Sequence, residues 1–183
     1  MRKILPLVLF ALVMASCFND QKQVINKKHL YTIELPGYMN EATDLSEDAS
    51  LQYQSVAKDI YIMVFDEPKE NLENAIFDNG LESMYSNDLD GYARLLNDGI
   101  DENVEYIDEP EFTDKQINGL KAKVLDFSGI TDGLRVYWMS AYLEGRNNYY
   151  QINIWTSLDK KDKLYKDMEA MIESFTETDK SKK

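Results

Sequence analysis

Between Val104 and Ser157 the chain alternates apolar and polar residues with a period of two, and turn residues interrupt the alternation at regular intervals. Asn118-Gly119 is the strongest short hairpin signal a sequence can carry, because both residues tolerate the positive φ of a tight turn. Asp132-Gly133 and then "GRNN" follow at similar spacing. The segments "NVEYIDEPEFTDKQ", "LKAKVLDFSG", "LRVYWMSAYLEG" and "YYQINIWTS" therefore read as a four-stranded antiparallel meander. The run "VYWMSAYL" is apolar on both faces, which places it inside the sheet.

The flanking segments extend this sheet and supply helices. In "HLYTIELPGYM", His29, Tyr31, Ile33 and Leu35 share one face of a strand stopped by Pro36-Gly37. "ASLQYQSV" sets Leu51 and Tyr53 against Gln52 and Gln54 in the same way. "DIYIMVFDE" is apolar on both faces from Ile60 to Phe65, the pattern of a strand covered on both sides. From Lys69 to Ile100 the period becomes helical: Leu72, Ala75 and Ile76 mark one helix. Leu89, Tyr92, Leu96 and Ile100 mark a second, with Asn87 or Asp88 at its start. A last helix carries Leu164, Met168, Met171, Ile172 and Phe175 on one stripe, and Asp159 is its expected cap. The expected fold is α+β: a single antiparallel sheet of about six or seven strands, with helices packed on its faces.

Cys17 is the only cysteine in 183 residues, so no internal disulfide forms and the fold needs an apolar core. Twelve tyrosines provide large units for burial. Arg2 and Lys3 precede the apolar run from Ile4 to Met14, and Ala15 and Ser16 follow, which is the pattern of a secretory signal. The apolar run is shorter than the roughly 18 residues that span a bilayer. "MASC" is similar to a bacterial lipobox, with Met14 where Leu is usual, and this makes Cys17 the expected point of lipidation. Residues 1–16 are thus read as a lipoprotein signal peptide and 17–28 as the lipidated cysteine with a polar tether. A single α+β domain over 29–178 and a polar tail over 179–183 complete the division. An extended tether of this length reaches about 36–40 Å. The implied place is the bacterial cell envelope on an exported side, held to the membrane through Cys17. Phe18 stands where Asp favours inner-membrane retention, which points to the outer membrane.

The formal net charge is −13, and two more negative once Arg2 and Lys3 are removed. Such a chain is repelled by nucleic acid, which excludes that class of partner.

"YTIELPGYM", "INGLKAKVLDFSG" and "YYQINIWTS…MEAMIESF" together resemble the PsbP-type fold, over about His29 to Phe175. The resemblance implies an αβα sandwich around an antiparallel sheet. It places the chain beside a photosystem accessory protein, a small nuclear GTPase-binding protein and bacterial envelope lipoproteins similar to DcrB and LpqN. What these share is binding or assembly support, and no site residue carries over position by position. Fold alone does not decide function.

Motifs that would carry catalysis are missing. The single histidine, His29, lies at the start of the first strand, and a Cys/His zinc site cannot be assembled. No Gly-rich phosphate loop, G-x-S-x-G elbow or dinucleotide fingerprint occurs, so no cofactor is expected. "SNDLDG" fails as an EF-hand because Ser86 and Asn97 occupy the two anchor positions. "DGIDEN" leaves Asp98, Asp101 and Glu102 as weak candidates for a calcium site. In "NYYQINIWTS", Tyr149, Gln151, Asn153 and Trp155 share one face of a strand, a mixture of rings and amides suited to a protein partner or a sugar. The alternative puts that face under a helix, with its rings filling core. Tyr137 and Trp138 point to opposite faces of their strand and cannot join one platform. The leading expectation is a non-catalytic, lipid-anchored binding or assembly-support protein that recognises an envelope partner. Binding of a small glycan or divalent cation is the alternative, and a carboxylate-dependent hydrolase comes third.

Overall fold

The computed structural model describes residues 21–101 and 104–179. The leader, Cys17, Glu102 and the last four residues lie outside the described residues, as does the side chain of Asp101. In chain order the elements are β1 (Lys22–Lys27), β2 (Tyr31–Pro36), β3 (Asn40–Glu41), β4 (Leu51–Ser55), β5 (Ile60–Pro68), α1 (Lys69–Asp78) and α2 (Leu89–Asp101). There follow β6 (Glu105–Tyr106), β7 (Thr113–Ile117), β8 (Leu120–Thr131), β9 (Leu134–Glu144), β10 (Asn148–Ser157), α3 (Lys161–Ser174) and β11 (Thr176–Glu177).

The chain is α+β, as expected, but it builds two antiparallel sheets. The large one runs β3-β4-β5-β10-β9-β8-β6, with β7 also pairing β8. The expected meander is β7-β8-β9-β10, and its first two turns use positive φ at Asn118, Gly119, Asp132 and Gly133. The small sheet is β1-β2-β11.

Helices cover opposite faces of the large sheet. α3 lays Leu164, Met168, Met171 and Ile172 on Ile60, Ile62, Val64, Ile152 and Ile154, and β2 closes this core with Tyr31, Ile33 and Leu35. On the other face α1 and α2 set Leu72, Ile76, Leu89, Tyr92 and Ala93 against Leu125, Phe127, Tyr142 and Tyr149. α2 starts where expected, with Gly91 N–H donating to the Asp88 carboxylate at 3.0 Å. α3 does not use Asp159 as a cap. A 3-10 turn over Leu158–Lys160 precedes it, and no side chain caps its first turn.

Three expectations are corrected at the ends of the domain. Residues 22–27, read as part of a polar tether, form β1, paired along its whole length with β2. Ile25 packs against the larger core, and the Gln23 amide donates to the carbonyls of Pro36 and Met39 at 3.1 and 2.7 Å. His29 is not in the following strand. It sits in the β1–β2 turn at φ 68°, and the buried face begins at Tyr31. The polar tail read from residue 179 is tied in at its start: Thr176 and Glu177 pair with β2, and Asp179 accepts a hydrogen bond from the Asn147 amide at 2.8 Å.

Candidate binding face

Directly paired residues of an antiparallel sheet share a face. The register therefore assembles rows across the strands. One row is Gln54, Tyr61, Trp155, Trp138 and Phe127. The next is Gln52, Met63, Asn153, Ser140 and Leu125. Phe65, Gln151, Tyr142 and Lys123 form a third. All three rows lie on the face that α1 and α2 occupy.

The helices cover only the β8–β9 side of these rows. Phe127, Leu125 and Tyr142 belong to the buried cluster, and Trp138 packs at its margin. Tyr61, Met63, Phe65 and Trp155 are half-buried and join neither core cluster. β5 and β10 are interior strands of the large sheet, yet this face of them is open. That corrects the expectation that Ile60–Phe65 is covered on both sides: Ile60, Ile62 and Val64 are fully buried under α3, while the alternate residues meet solvent.

The four β10 residues singled out from the sequence divide accordingly. Tyr149 is core, 3% exposed, with its ring stacked on Tyr92 at 4.6 Å and Lys69 Nζ above it at 5.1 Å. Burial, with the nearby charges of Glu144 and Asp88, pushes its phenol up to about 12. Gln151, Asn153 and Trp155 stay together on the open part. Trp155 stacks almost parallel to Tyr61, centroids 5.3 Å apart and planes 11° apart. Asn153 Oδ1 accepts from Ser140 Oγ at 2.9 Å and from the Gln151 amide at 3.3 Å, which fixes both amide groups. The Gln52 amide is tied to the backbone of Leu45 and Ser46, so that loop walls one side of the face. At another corner, Lys123 pairs with Asp90 at 2.8 Å and Asp114 at 2.9 Å. These two hydrogen-bonded carboxylates raise the lysine above its ordinary range.

Tyr61, Met63, Phe65 and Trp138 were not picked out from the sequence. The available signal was alternation alone: odd-numbered residues of β5 fall beside odd-numbered residues of β10, and even-numbered residues of β9 complete the row. As expected, Tyr137 faces away from Trp138, lying under Lys161 Nζ at 4.4 Å on the α3 side.

The other candidates are dispersed. Asp98 accepts a hydrogen bond from the Tyr85 hydroxyl at 2.6 Å, and no group of three or more metal-ligating side chains occurs among the described residues. A cavity of about 600 Å³ lies between β1, β2 and α3, lined by Leu35, Pro36, Tyr38, Lys58, Ala170 and Met171 among others. Glu34 and Asp167 both border it. Glu34 is held by Lys22 at 3.0 Å, and Asp167 by the Tyr38 hydroxyl. Each carboxylate thus accepts from a donor on the cavity's edge.

Comparison with solved structures decides the fold. Cyanobacterial PsbP (CyanoP) from Synechocystis sp. PCC 6803 superposes with a TM-score of 0.56 over 86% of this chain and 93% of that one, at 14% identity. This chain has the PsbP-like fold. LpqN, described as involved in cell envelope biogenesis of Mycobacterium tuberculosis, matches with a TM-score of 0.52 at 13% identity, over 86% of this chain and 91% of LpqN. A Bacteroides thetaiotaomicron protein matches at 0.51 and 10% identity, over 84% of this chain and 47% of that one. No family model matches the sequence, and no curated protein is similar to it. The PsbP-like fold is thus shared with structures only 10–14% identical in sequence.

Proposed function

We propose that this chain is an exported, lipid-anchored protein of the bacterial cell envelope, with a non-catalytic binding or assembly-support role. In this reading it recognises a protein partner through the open face of β5 and β10. The observation that carries the reading is a set of large apolar side chains, Tyr61, Met63, Phe65 and Trp155, left outside both cores on interior strands of the sheet. Interface hot spots are enriched in Trp and Tyr and rimmed by polar groups, and the fixed amides of Gln151 and Asn153 supply such groups. LpqN lends the envelope setting, and the lipobox-like "MASC" lends the anchor at Cys17. With β1 in place, the reach from Cys17 to Lys22 is at most about 18 Å, so the domain stands close to the membrane. Anchoring at an outer membrane, following Phe18, belongs to the same reading.

The test is co-purification from detergent-solubilised native membranes. A companion retained by the natural protein and lost with Trp155→Ala supports the reading. A companion retained equally by Trp155→Ala and Tyr61→Ala moves recognition elsewhere. The cavity of about 600 Å³ favours a second reading, binding of a small ligand such as a glycan. Thermal shift with a sugar panel and calcium tests it, and a shift removed by Ala170→Trp, at a half-buried residue of the cavity wall, would place the ligand there.

A further inference from the structure

The cavity of about 600 Å³ lies where the chain enters the domain. Gln21 lines it, and the Gln21 carbonyl accepts from Gly37 N–H at 2.7 Å. A Cβ on Gly37 would stand 2.3 Å from that oxygen, so glycine lets the incoming chain close on the end of β2. Cys17 is four residues before Gln21, a reach of at most about 14 Å. The cavity runs along α3 between two fixed points: Glu34 N–H donates to Ser174 Oγ at 2.9 Å, and the Tyr38 hydroxyl donates to Asp167. Asp167 and Ser174 are seven residues apart, about 10 Å along the helix, so Cys17 can reach any part of the cavity.

The walls of the cavity are apolar: Leu35, Pro36, Tyr38, Ala170 and Met171. Its border is charged, but those groups are largely engaged with one another. Lys22 pairs with Glu34 at 3.0 Å, and Asp167 accepts from Tyr38, which leaves few polar atoms to hold the hydroxyls of a sugar. Lys58 is the exception. Its ammonium stands 3.8 Å from the centre of the Tyr38 ring, is exposed, and makes no ion pair among the described residues. At about 30 Å³ for each water-sized group the cavity takes about 20 such groups, enough for one long acyl chain. An apolar occupant removes this surface from water.

We infer that one acyl chain of the lipid on Cys17 lies in this cavity, between β2 and α3, while the other chains of that lipid stay in the bilayer. The inference rests on the proposed lipid anchor, and it gives the cavity to that anchor in place of a glycan. Because the lipid is tied only four residues from the cavity wall, the short tether raises its effective concentration there. The consequence is orientation. A peptide link and a seated chain together hold the β1, β2 and α3 side of the domain against the membrane. The open face of β5 and β10 lies across the large sheet from α3, so it is turned away from the bilayer and towards partners. Lys58 places a cation on the membrane side of a chain whose net charge of −13 otherwise repels anionic lipid.

The test uses cells that express the full chain and are fed a diazirine-bearing fatty acid. After irradiation the protein is purified from their membranes and cleaved with trypsin. The mass of the Cys17–Lys22 peptide reports lipidation, and the peptide 167–180 carries the cavity wall at Ala170 and Met171. A cross-link between these two peptides within a monomeric chain is expected, inserted at Asp167, Ala170 or Met171. Ala170→Trp, which fills the cavity, should remain lipidated and lose the cross-link. Insertion at Glu173, exposed and outside the cavity lining, would put the acyl chain on the surface of α3 and overturn the inference, whether or not Ala170→Trp folds. A free phospholipid attached to the peptide 167–180 would also overturn it and give the cavity to a membrane lipid. A lipidated Cys17 that joins no cavity peptide overturns the inference alone, whereas an unmodified Cys17 overturns the anchor reading as well.

Discussion

Replacing Trp155 by alanine should cost far less stability than its size suggests, because the ring belongs to neither core and its stacking partner is Tyr61. Stacked aromatic pairs contribute about 0.5–1.5 kcal/mol beyond their buried area. The Tyr61–Trp155 pair, at 5.3 Å and 11°, has the geometry of such a stack. Adding partial burial of one indole face brings the expected cost of Trp155→Ala to about 1–2 kcal/mol. On the opposite face of the same strand, Ile154 and Ile152 are fully buried under α3, and Ile152→Ala should cost about 2–5 kcal/mol. Urea unfolding of the three proteins, followed by far-UV circular dichroism, measures the difference at constant m-value. A cycle with Tyr61→Ala should return a coupling of about 0.5–1.5 kcal/mol. If Trp155→Ala costs as much as Ile152→Ala, the ring is core and the open face does not exist.

Other expectations follow from single features. A chain shortened to begin at Lys28 should lose at least about 2 kcal/mol, since β1 brings Ile25 into the core and the Gln23 amide onto two carbonyls; an unchanged urea midpoint would restore the tether reading. Gly91→Ala places a Cβ 1.7 Å from Ser86 O, a backbone clash that should cost at least about 2 kcal/mol, and a neutral result would overturn the packing of the α2 start. Burial raises the phenols of Tyr149, Tyr31, Tyr92 and Tyr142 in the folded chain. The folded state therefore holds these protons more tightly than the unfolded state, whose tyrosines titrate near 10. The resulting stability is complete below about pH 10 and falls as pH rises from about 10 through about 12, which urea midpoints at several alkaline pH values will show. A midpoint flat across that range would mean that the rings are solvated.

The meander was legible because its turns declare themselves: Asn118-Gly119 and Asp132-Gly133 fix three strands, and alternation within each fixes the faces. The stripe from Leu164 to Phe175 identified α3 in a similar way, since a period near 3.6 held over a dozen residues lines one side of a helix and would scatter over both faces of a strand. β1 was illegible because "KQVINK" places one half-buried apolar residue, Ile25, beside an exposed one, Val24, among polar neighbours. Its order comes from β2, not from its own pattern. β11, two residues long, has no period to read.

The open face of β5 and β10 shows a deeper limit. Alternation told correctly that Tyr149, Gln151, Asn153 and Trp155 share a face, but not how far along it the helices reach. α2 ends its cover near Tyr149, and Trp155 lies past it. The run from Ile60 to Phe65 was apolar on both sides and so read as enclosed, yet only the even-numbered residues are buried. A face meant for a helix of the same chain and one meant for another protein require the same residue types. Sequence alone therefore merges the two, and the packing of α1 and α2 shows only which part of the face this chain's own helices cover.

The most direct test of the partner-binding face is photo-crosslinking in the native membrane, from a photoreactive side chain placed at Asn153 and, as control, at Lys166 on the outer surface of α3. A discrete companion captured from position 153 and absent from position 166 is the expected result. Capture of the same companion from 166 and not from 153 would contradict it and move recognition to the other side of the domain.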